Sequence, residues 1–304
     1  MKPMKSRKVA ITGGSGGIGR YVSDYLEDKV EVTVIDISPP KQSYVGYLNT
    51  NILDFNAVQT ALDGHTDLIH LAAIPNPRVA TAETTFNTNV QGTWNVLQAA
   101  EDVGISRAIV ASSDSAVGLH FNPKDWPPQY LPVDEKHPLK PTEFYSLSKL
   151  VTEIICKSFV NRGKLDIVVL RPSKVVLPHE WPELRSRGAD LHNHHIWAYV
   201  EPEDLAQAFY LALAIDEITY DLFFISAADT LCSRPTLEMI EMLHHKLPEI
   251  RKPEIYEQNP YASVFDIDHA RKILGYDPKS DWRQLFKQVP VSDRIANNRT
   301  EGFI

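Results

Sequence analysis

The sequence predicts an α/β fold built on a doubly wound parallel sheet, and three observations support this prediction. Short runs rich in β-branched residues alternate with segments whose apolar residues recur at helical spacing, as in a parallel sheet with helices on both faces. The first run ends in a glycine-rich turn that leads directly into a helical pattern, and the second ends in an acidic residue, Asp36. In such sheets ligands bind at the carboxyl ends of the strands, so the functional site is expected there.

Each predicted element rests on its own pattern. Apolar runs predict strands over residues 8–12, 31–36, 67–71, 108–112 and 166–170. Apolar residues at helical spacing predict helices between them, over residues 18–28, 87–103 and 146–161. Further along, the same criteria predict a helix over 203–215, a strand over 222–226, and helices over 236–247 and 268–274, the last ended by Gly275.

The pattern changes after Arg171 and Pro172, because prolines and histidines crowd residues 178–197 and the alternation of strands and helices is lost. We therefore divide the chain into residues 1–172, which carry the doubly wound sheet, and residues 173–304, a smaller substrate-binding part. Segments of the second part, such as 199–226, are expected to pack back on the sheet.

Composition excludes several classes of protein. The chain has 304 residues, 43% of them hydrophobic, which is enough for a sizeable core. Its net charge is -8, with no basic stripe, so nucleic acid is not an expected partner. No apolar run approaches the roughly 20 residues that a membrane-spanning helix needs, and no export signal follows the basic start. Two cysteines in unrelated contexts argue against a disulfide framework, so we expect a cytoplasmic protein.

The segment from Thr12 to Gly19 reads TGGSGGIG and lies between the first strand and the first helix, where a dinucleotide-binding turn belongs. Gly13 permits the tight turn, Gly16 lets the backbone approach a pyrophosphate, and Gly19 lets the helix pack closely on the strand. The helix start at Gly17 and Ile18 offers free N–H groups to the anion. Asp36 can accept hydrogen bonds from ribose hydroxyls and would repel a 2′-phosphate, which favours NAD; Lys41 leaves NADP open.

Tyr145 and Lys149 are four residues apart at the start of a predicted helix and share one face of it. A tyrosine with a pKa near 10 is a poor base at neutral pH, and an adjacent ammonium group stabilises its phenolate. The strand that ends at Ser112 and Ser113 brings a hydroxyl group to the same end of the sheet. These three residue types together predict proton transfer to or from a hydroxyl group.

The sequence resembles the extended short-chain dehydrogenase/reductases of the NAD-dependent epimerase/dehydratase family, and is nearest in type to the smaller uronate-dehydrogenase-like members. The resemblance covers nearly the whole chain and rests on the glycine loop with Asp36, NILD at 51–54, HLAA at 70–73, NVQGT at 89–93, Ser112 with Ser113, Tyr145 with Lys149, Arg171-Pro172, and LGY at 274–276. It implies that Tyr145 moves the proton, that Lys149 lowers its pKa and binds the nicotinamide ribose, and that Ser113 holds the substrate oxygen. It further implies cofactor contacts from Asp54, Leu71, Ala72, Ala73, Asn89, Ser112 and Arg171. The family's tyrosine before the glycine is missing at Val117-Gly118, so Ser113 or Ser115 is the catalytic hydroxyl; alignment from Gly118 favours Ser113.

Two departures from the nucleotide-sugar members favour a dehydrogenase over an epimerase. Lys174 stands where those enzymes have an asparagine that helps to bind the sugar nucleotide, and the interval 175–198 is too short for their nucleotide clamp. The resemblance therefore implies NAD-dependent oxidation of a hydroxyl group on a small sugar, sugar acid or polyol. The alternative is a nucleotide-sugar 4-epimerase or dehydratase with tightly bound NAD. An NAD-sensing protein without enzyme activity is disfavoured, because the Ser, Tyr and Lys set is intact.

The expected substrate pocket combines residues from several loops. Its members are Asn76, Ser113, Asp114, Ser115, Tyr145, Lys174 and His192. His192 replaces an arginine that grips the carboxylate in uronate dehydrogenases, while Lys174, Arg185 or Arg187 could supply a positive charge. The histidines at 192, 194 and 195 lack carboxylate or cysteine partners at a recognised spacing, so no metal site is expected. The helices at 87–103 and 146–161 are those that the family pairs across a two-fold axis, which implies a homodimer.

Overall fold

A computed structural model describes residues 4–120, 126–181 and 196–283. Its strands are β1 Lys8–Thr12, β2 Glu31–Asp36, β3 Gly46–Asn49, β4 Asp67–His70, β5 Arg107–Ala111, β6 Tyr130–Leu131, β7 Asp166–Pro172, β8 Lys174–Val175, β9 Tyr199–Val200, β10 Tyr220–Ile225 and β11 Glu249–Ile250. Seven of them form the central sheet in the order β10-β7-β5-β4-β1-β2-β3, with every pair parallel. The strand order changes direction beside β1, which creates the crevice where such sheets bind ligands.

Helices connect the strands and form the outer layers. They are α1 Gly17–Leu26, α2 Phe55–Leu62, α3 Ala82–Phe86, α4 Gly92–Asp102, α5 Phe144–Val160, α6 Pro202–Ala214, α7 Thr236–His244, α8 Pro253–Gln258 and α9 Asp268–Leu274. One turn of π-helix, Asn87–Gln91, joins α3 to α4, and a 3-10 turn, Asp114–Val117, follows β5. Two short parallel pairs, β6 with β11 and β8 with β9, lie outside the main sheet.

The two faces of the sheet bury different helices. Val9 and Ile11 of β1 point into a core shared with α1 and α6, whereas Ala10 between them points into a core shared with α2, α4 and α5. This alternation follows from the two-residue period of a strand. Because both faces are covered, the inner strands of the sheet are mostly apolar, which is why short β-branched runs were their sequence signal.

The predicted fold class is confirmed: the sheet is parallel and doubly wound, the Rossmann arrangement. Two elements beside β2, at one edge of the sheet, were not predicted: β3 and α2. Strand β3 is four residues long, lies at the edge of the sheet and is mostly exposed, so it carries no apolar run. At the opposite edge, β10 pairs with β7, so the last strand of the sheet comes from the chain beyond residue 173. The division of the chain at residue 172 stays a prediction.

Within the described ranges, no helix combines the length and the apolar character needed to cross a bilayer. Cys156 and Cys232 are both buried free thiols.

Candidate active site

The glycine-rich loop between β1 and α1 lies directly against the end of β4. Gly13 has a φ of +73°, which glycine adopts without strain, and a Cβ atom there would lie 2.5 Å from the amide nitrogen of Ala72. In the first turn of α1, a Cβ atom at Gly19 would lie 2.4 Å from the carbonyl oxygen of Gly13. Both close approaches require glycine; at Gly19 the close neighbours are Gly13 and Gly14 of the loop itself.

The start of α1 is suited to an anion. The N-cap residue is Gly16, which has no side chain to cap the helix, and the first intrahelical bond runs from the Arg20 N–H to the Gly16 carbonyl. The N–H groups of Gly17, Ile18 and Gly19 precede that bond and lie at the positive end of the helix dipole. This arrangement can bind a pyrophosphate.

Leu177 covers this helix start from the other side of the crevice. Its Cδ1 lies 2.9 Å from the position of a Cβ atom at Gly17. Leu177 follows β8, and the sequence analysis assigned it no role because a single leucine after a two-residue strand carries no distinctive signal. Its side chain narrows the space beside the start of α1.

Asp36 ends β2 beside the glycine loop. Its carboxylate accepts hydrogen bonds from the N–H of Ser15 at 3.1 Å and the N–H of Ser38 at 3.2 Å. The side chain therefore caps the turn after β2 and holds the loop in place. It is half-buried, so its oxygens are also open to hydroxyl groups of a ligand.

Asp54 lies at the start of α2, where its carboxylate caps the helix by accepting the N–H of Ala57 at 3.1 Å. The residues after β3 lie closer to Asp36: the N–H of Thr50 donates to the Asp36 carbonyl at 3.0 Å, and Asn51 follows it. The sequence analysis named the segment 51–54 but selected Asp54. Because β3 was not predicted, nothing indicated that Asn51 directly follows a strand end beside Asp36.

The hydroxyl groups of Ser113 and Tyr145 meet at the carboxyl end of β5. Ser113 caps the 3-10 turn, and its hydroxyl group lies close enough to Tyr145 to act on the pKa of the tyrosine. Ser115 lies behind it and donates from its Oγ to the Ser113 Oγ at 2.9 Å. Of the two candidate serines, Ser113 is thus the one in contact with Tyr145. Glu143 fixes the start of α5 by accepting the N–H groups of Tyr145 and Ser146, each at 2.6 Å.

Electrostatics act on Tyr145 and Lys149 in different ways. Burial raises the pKa of Tyr145 above its usual value, the neighbouring Ser113 hydroxyl group acts in the opposite direction, and the charges of Asp114 and Glu143 raise it further. Burial also lowers the pKa of Lys149 to about 8, with its ammonium group donating to the Ala111 carbonyl at 3.0 Å. The predicted lowering of the Tyr145 pKa by Lys149 stays a prediction.

Asn89 holds the loop after β4 against α5. Its side chain accepts the N–H of Ile74 at 2.8 Å and donates to the Ile74 carbonyl at 3.2 Å and to the Ser148 Oγ at 2.9 Å. Ser148 precedes Lys149 in the chain. Asn89 is buried, whereas Leu71, Ala72 and Ala73, which begin that loop, are half-buried at the crevice.

His70 at the end of β4 connects the elements around this loop, and the sequence analysis assigned it no role. Its Nδ1 lies 2.7 Å from the Thr12 Oγ1 and its Nε2 lies 3.0 Å from the Thr93 Oγ1, so the ring joins β1, β4 and α4. Burial lowers its pKa to about 3, aided by the charge of Lys149, so the ring is neutral at neutral pH.

Arg171 and Ser112 both contact the Glu153 carboxylate on α5. Arg171 donates to its two oxygens at 2.7 Å each, and the Ser112 hydroxyl donates at 2.6 Å. All three side chains are buried. They fasten α5 to the ends of β5 and β7, and the cofactor contacts predicted for Arg171 and Ser112 stay predictions.

The predicted substrate residues fall into different settings. Lys174 donates to Glu180 at 2.5 Å, and Glu180 also accepts the Leu177 N–H. Asn76 accepts the Arg78 N–H at 2.9 Å in the loop after β4. His192, Arg185 and Arg187 lie outside the described residues. Across the described ranges, no three His, Cys, Asp or Glu side chains are grouped as a metal ion would require.

Two curated relatives are sugar dehydrogenases of Haloferax volcanii. An NAD-dependent glucose-6-phosphate dehydrogenase is 24% identical over 299 residues, which cover 94% of this chain and 98% of the relative. An L-arabinose 1-dehydrogenase (NAD(P)(+)) is 28% identical over 169 residues, covering 54% of this chain and 65% of the relative.

Solved structures share the fold at lower identity. A UDP-glucose 4-epimerase of Thermotoga maritima with UDP-glucose has a TM-score of 0.68 and 22% identity, with 92% of this chain and 99% of that chain covered. A mutated uronate dehydrogenase has a TM-score of 0.64 and 17% identity, with 93% and 86% covered.

The family model of the NAD-dependent epimerases and dehydratases matches residues 9–218. That range runs from β1 through the glycine loop, Ser113, Tyr145 and Lys149 to the end of α6. The resemblance inferred from the sequence motifs is thereby confirmed. The chain belongs to the NAD-dependent epimerase/dehydratase family.

Proposed function

We propose that the protein is an NAD-dependent oxidoreductase that transfers a hydride from a hydroxyl-bearing carbon of a small sugar, sugar acid or polyol to NAD. The observation that carries this proposal is the grouping of the Ser113 and Tyr145 hydroxyl groups, with Lys149 on the same helix as Tyr145, at the sheet end that also holds the glycine loop. Both curated sugar dehydrogenases described above support the same class of reaction.

The residues around the crevice fit a dinucleotide. The uncapped start of α1 would bind the pyrophosphate, Asp36 would bind the adenosine ribose, and residues 71–73 would line the channel. Asp36 carries a negative charge where a 2′-phosphate would lie, which favours NAD over NADP. NAD, when bound, accepts the hydride. We assign the adenine side to Asp54 together with Asn51; each side chain accepts one N–H group within the chain, from Ala57 and from Leu53.

In this proposal Tyr145 acts as the base. The substrate hydroxyl gives its proton to the Tyr145 oxygen while its carbon loses the hydride, and Ser113 holds the substrate oxygen. Lys149 has a pKa of about 8 and is mostly charged at neutral pH, so it supplies a positive charge one helical turn from Tyr145. We expect that charge to oppose the rise in the Tyr145 pKa that burial, Asp114 and Glu143 cause.

Two charged groups favour an uncharged substrate over a sugar acid. Asp114 places a buried carboxylate next to Ser113, where a second carboxylate would be repelled. Lys174, one candidate for binding an acid, is engaged by Glu180. A neutral sugar or polyol, whose hydroxyl groups can donate to Asp114, fits this arrangement best.

An epimerase acting on a nucleotide sugar is the second candidate, and the fold similarity to UDP-sugar epimerases supports it. The two differ in whether the hydride stays on the cofactor. The test is absorbance at 340 nm with NAD and a panel of free sugars, sugar acids and polyols, run beside UDP- and TDP-sugars with products analysed by NMR. Net NADH with a free sugar supports the dehydrogenase, whereas an isomerised nucleotide sugar without net NADH contradicts it.

We further propose a homodimer formed through α4 and α5. Large apolar side chains on these helices reach the surface, namely Trp94, Leu147 and Ile154, with exposures of 38%, 41% and 59%. Ile154→Glu should convert a dimer to monomers in light scattering; a wild-type monomer would contradict the proposal.

Two buried free thiols also suit a cytoplasmic protein, the location that we propose.

A further inference from the structure

A buried pair of ionisable side chains lies behind Ser113. The Oδ2 of Asp114 is 2.9 Å from the Nε2 of His120, and the two side chains are 4% and 1% exposed. The other carboxylate oxygen, Oδ1, accepts the Ser113 hydroxyl at 3.1 Å. A single carboxylate therefore joins His120 to the serine that contacts Tyr145.

The Ser113 hydroxyl has one hydrogen and two groups that can accept it. These are the Asp114 Oδ1 and the Tyr145 oxygen, while the Ser113 oxygen itself accepts from the N–H and the hydroxyl of Ser115. A carboxylate is a stronger acceptor than a neutral phenol. Asp114 therefore competes with Tyr145 for the hydrogen that would stabilise a Tyr145 phenolate.

His120 is placed to moderate that competition. It faces the Asp114 oxygen that does not contact Ser113, and its ring packs 6.4 Å from the ring of Phe265. A donor or positive charge at Nε2 draws the carboxylate's charge away from Ser113. The other charged groups near Tyr145 are Glu143, before it in the chain, and Lys149, one helical turn after it.

We propose that His120 is a positioning residue for proton transfer: by holding the Asp114 carboxylate, it sets whether the Ser113 hydroxyl donates to Asp114 or to Tyr145. The inference rests on the function proposed above. It predicts shifts of opposite sign in the pH profile of kcat. Removing His120 strengthens the attraction of Asp114 for the Ser113 hydrogen, whereas removing the charge of Asp114 abolishes that attraction. If His120 had a purely structural role, its removal and the removal of the Asp114 charge would not have effects of opposite sign.

The test is the pH profile of kcat in variants of the full chain. His120→Phe should move the midpoint of the alkaline rise in kcat up by about half a pH unit, which lowers kcat at pH 7 about threefold. Asp114→Asn should move that midpoint down by a similar amount. In the Asp114→Asn background, His120→Phe should add no further shift, because the two residues act in series.

Two controls separate positioning from loss of folding. His120→Gln keeps an N–H donor near the Nε2 position and should restore most of the kcat lost in His120→Phe. His269 forms a more exposed pair with Asp221, also at 2.9 Å, on α9 and β10, so His269→Phe removes a His–Asp contact away from Tyr145. That variant should leave the pH profile unchanged, and the KM for NAD should stay within about twofold in all of them.

A second measurement needs neither NAD nor substrate. In protein labelled with 15N-histidine, the ring nitrogen signals of His120 should move in Asp114→Asn and in Ser113→Ala, while those of His269 stay in place. Unmoved His120 signals, or pH shifts of the same sign in His120→Phe and Asp114→Asn, would overturn the inference and leave the proposed function standing. If the wild type oxidises no substrate, the proposed function falls, and the NMR result alone decides whether His120 and Ser113 are linked.

Discussion

The ammonium group of Lys149 is buried and donates a hydrogen bond to the carbonyl oxygen of Ala111, the last residue of β5, at 3.0 Å. This bond fastens α5 to the end of the strand from which Ser113 follows. It also holds a positive charge in a site where burial disfavours it, since the pKa of Lys149 falls to about 8. The fold thus maintains a costly charge beside the residues assigned to chemistry.

Replacing Lys149 should stabilise the protein while reducing its activity. The pKa is 10.5 for a free lysine and about 8 here, so the folded state binds this proton less tightly than the unfolded state. The loss of stability caused by burying this charge is fully present below pH 8 and disappears as the pH rises from 8 to 10.5. After subtracting the lost hydrogen bond, Lys149→Met should raise the free energy of unfolding by about 2 kcal/mol at pH 7.

Urea unfolding at pH 7 and pH 10 measures this effect. The gain in Lys149→Met should shrink at pH 10, and kcat should fall at both values. Lys164→Met, which alters a mostly exposed lysine, is the control and should change stability little at either pH. A less stable Lys149→Met protein at pH 7 would show that the charge is not costly.

Removing the Tyr145 hydroxyl should stop turnover without preventing cofactor binding. Tyr145→Phe keeps the ring and loses the proton acceptor, so kcat should fall by about a thousandfold or more. NAD affinity, measured by calorimetry, should stay within about threefold. Tyr210→Phe, on α6 and in contact with Tyr25, is the matched control. Persistent activity in Tyr145→Phe would exclude Tyr145 as the base.

Asp36 should determine the choice between NAD and NADP. Its carboxylate already accepts two N–H groups, and we expect it also to hold the ribose hydroxyls. Asp36→Ala should weaken NAD binding about tenfold and improve NADP binding. Asp63→Ala, an exposed carboxylate at the end of α2, should change neither. Equal affinities for both cofactors in the wild type would contradict the role of Asp36.

Variants of Arg171 distinguish a role in cofactor binding from a structural role. Arg171→Met removes one partner of a buried ion pair and leaves the Glu153 charge without compensation, so unfolding should require about 3 kcal/mol less. Combining it with Glu153→Gln should recover part of this loss. NAD affinity in the folded variant should equal that of the wild type. A tenfold weaker affinity at unchanged stability would instead support the cofactor contact inferred from the sequence.

The sequence predicted those features whose signal is local. The glycine loop and Asp36 each lie at the end of one strand, and Tyr145 and Lys149 lie one helical turn apart. The structure brings them together at the carboxyl ends of the strands. Features that depend on an exposed edge or on distant partners were missed. Strand β3 has no apolar run, so the position of Asn51 beside its end was not predicted, and nothing local indicates that Arg171 meets Glu153.

The same reasoning explains why His120 was not predicted. It lies six residues beyond Asp114, and only the turn at Gly118, closed by the Gly118 N–H to the Ser115 carbonyl, brings the two side chains together. A lone histidine after a glycine carries no signal by itself. Pairs of side chains that only the tertiary fold brings together can be identified only from the three-dimensional structure.

The central claim is that the hydride leaves the substrate and stays on the cofactor. The most direct measurement uses a sugar deuterated at the hydroxyl-bearing carbon, with the label followed by NMR. We predict that one deuterium appears in NADH for each ketone or lactone formed, and that Tyr145→Phe forms neither. Deuterium returned to an inverted carbon of the sugar, with no net NADH, would contradict the account and identify an epimerase.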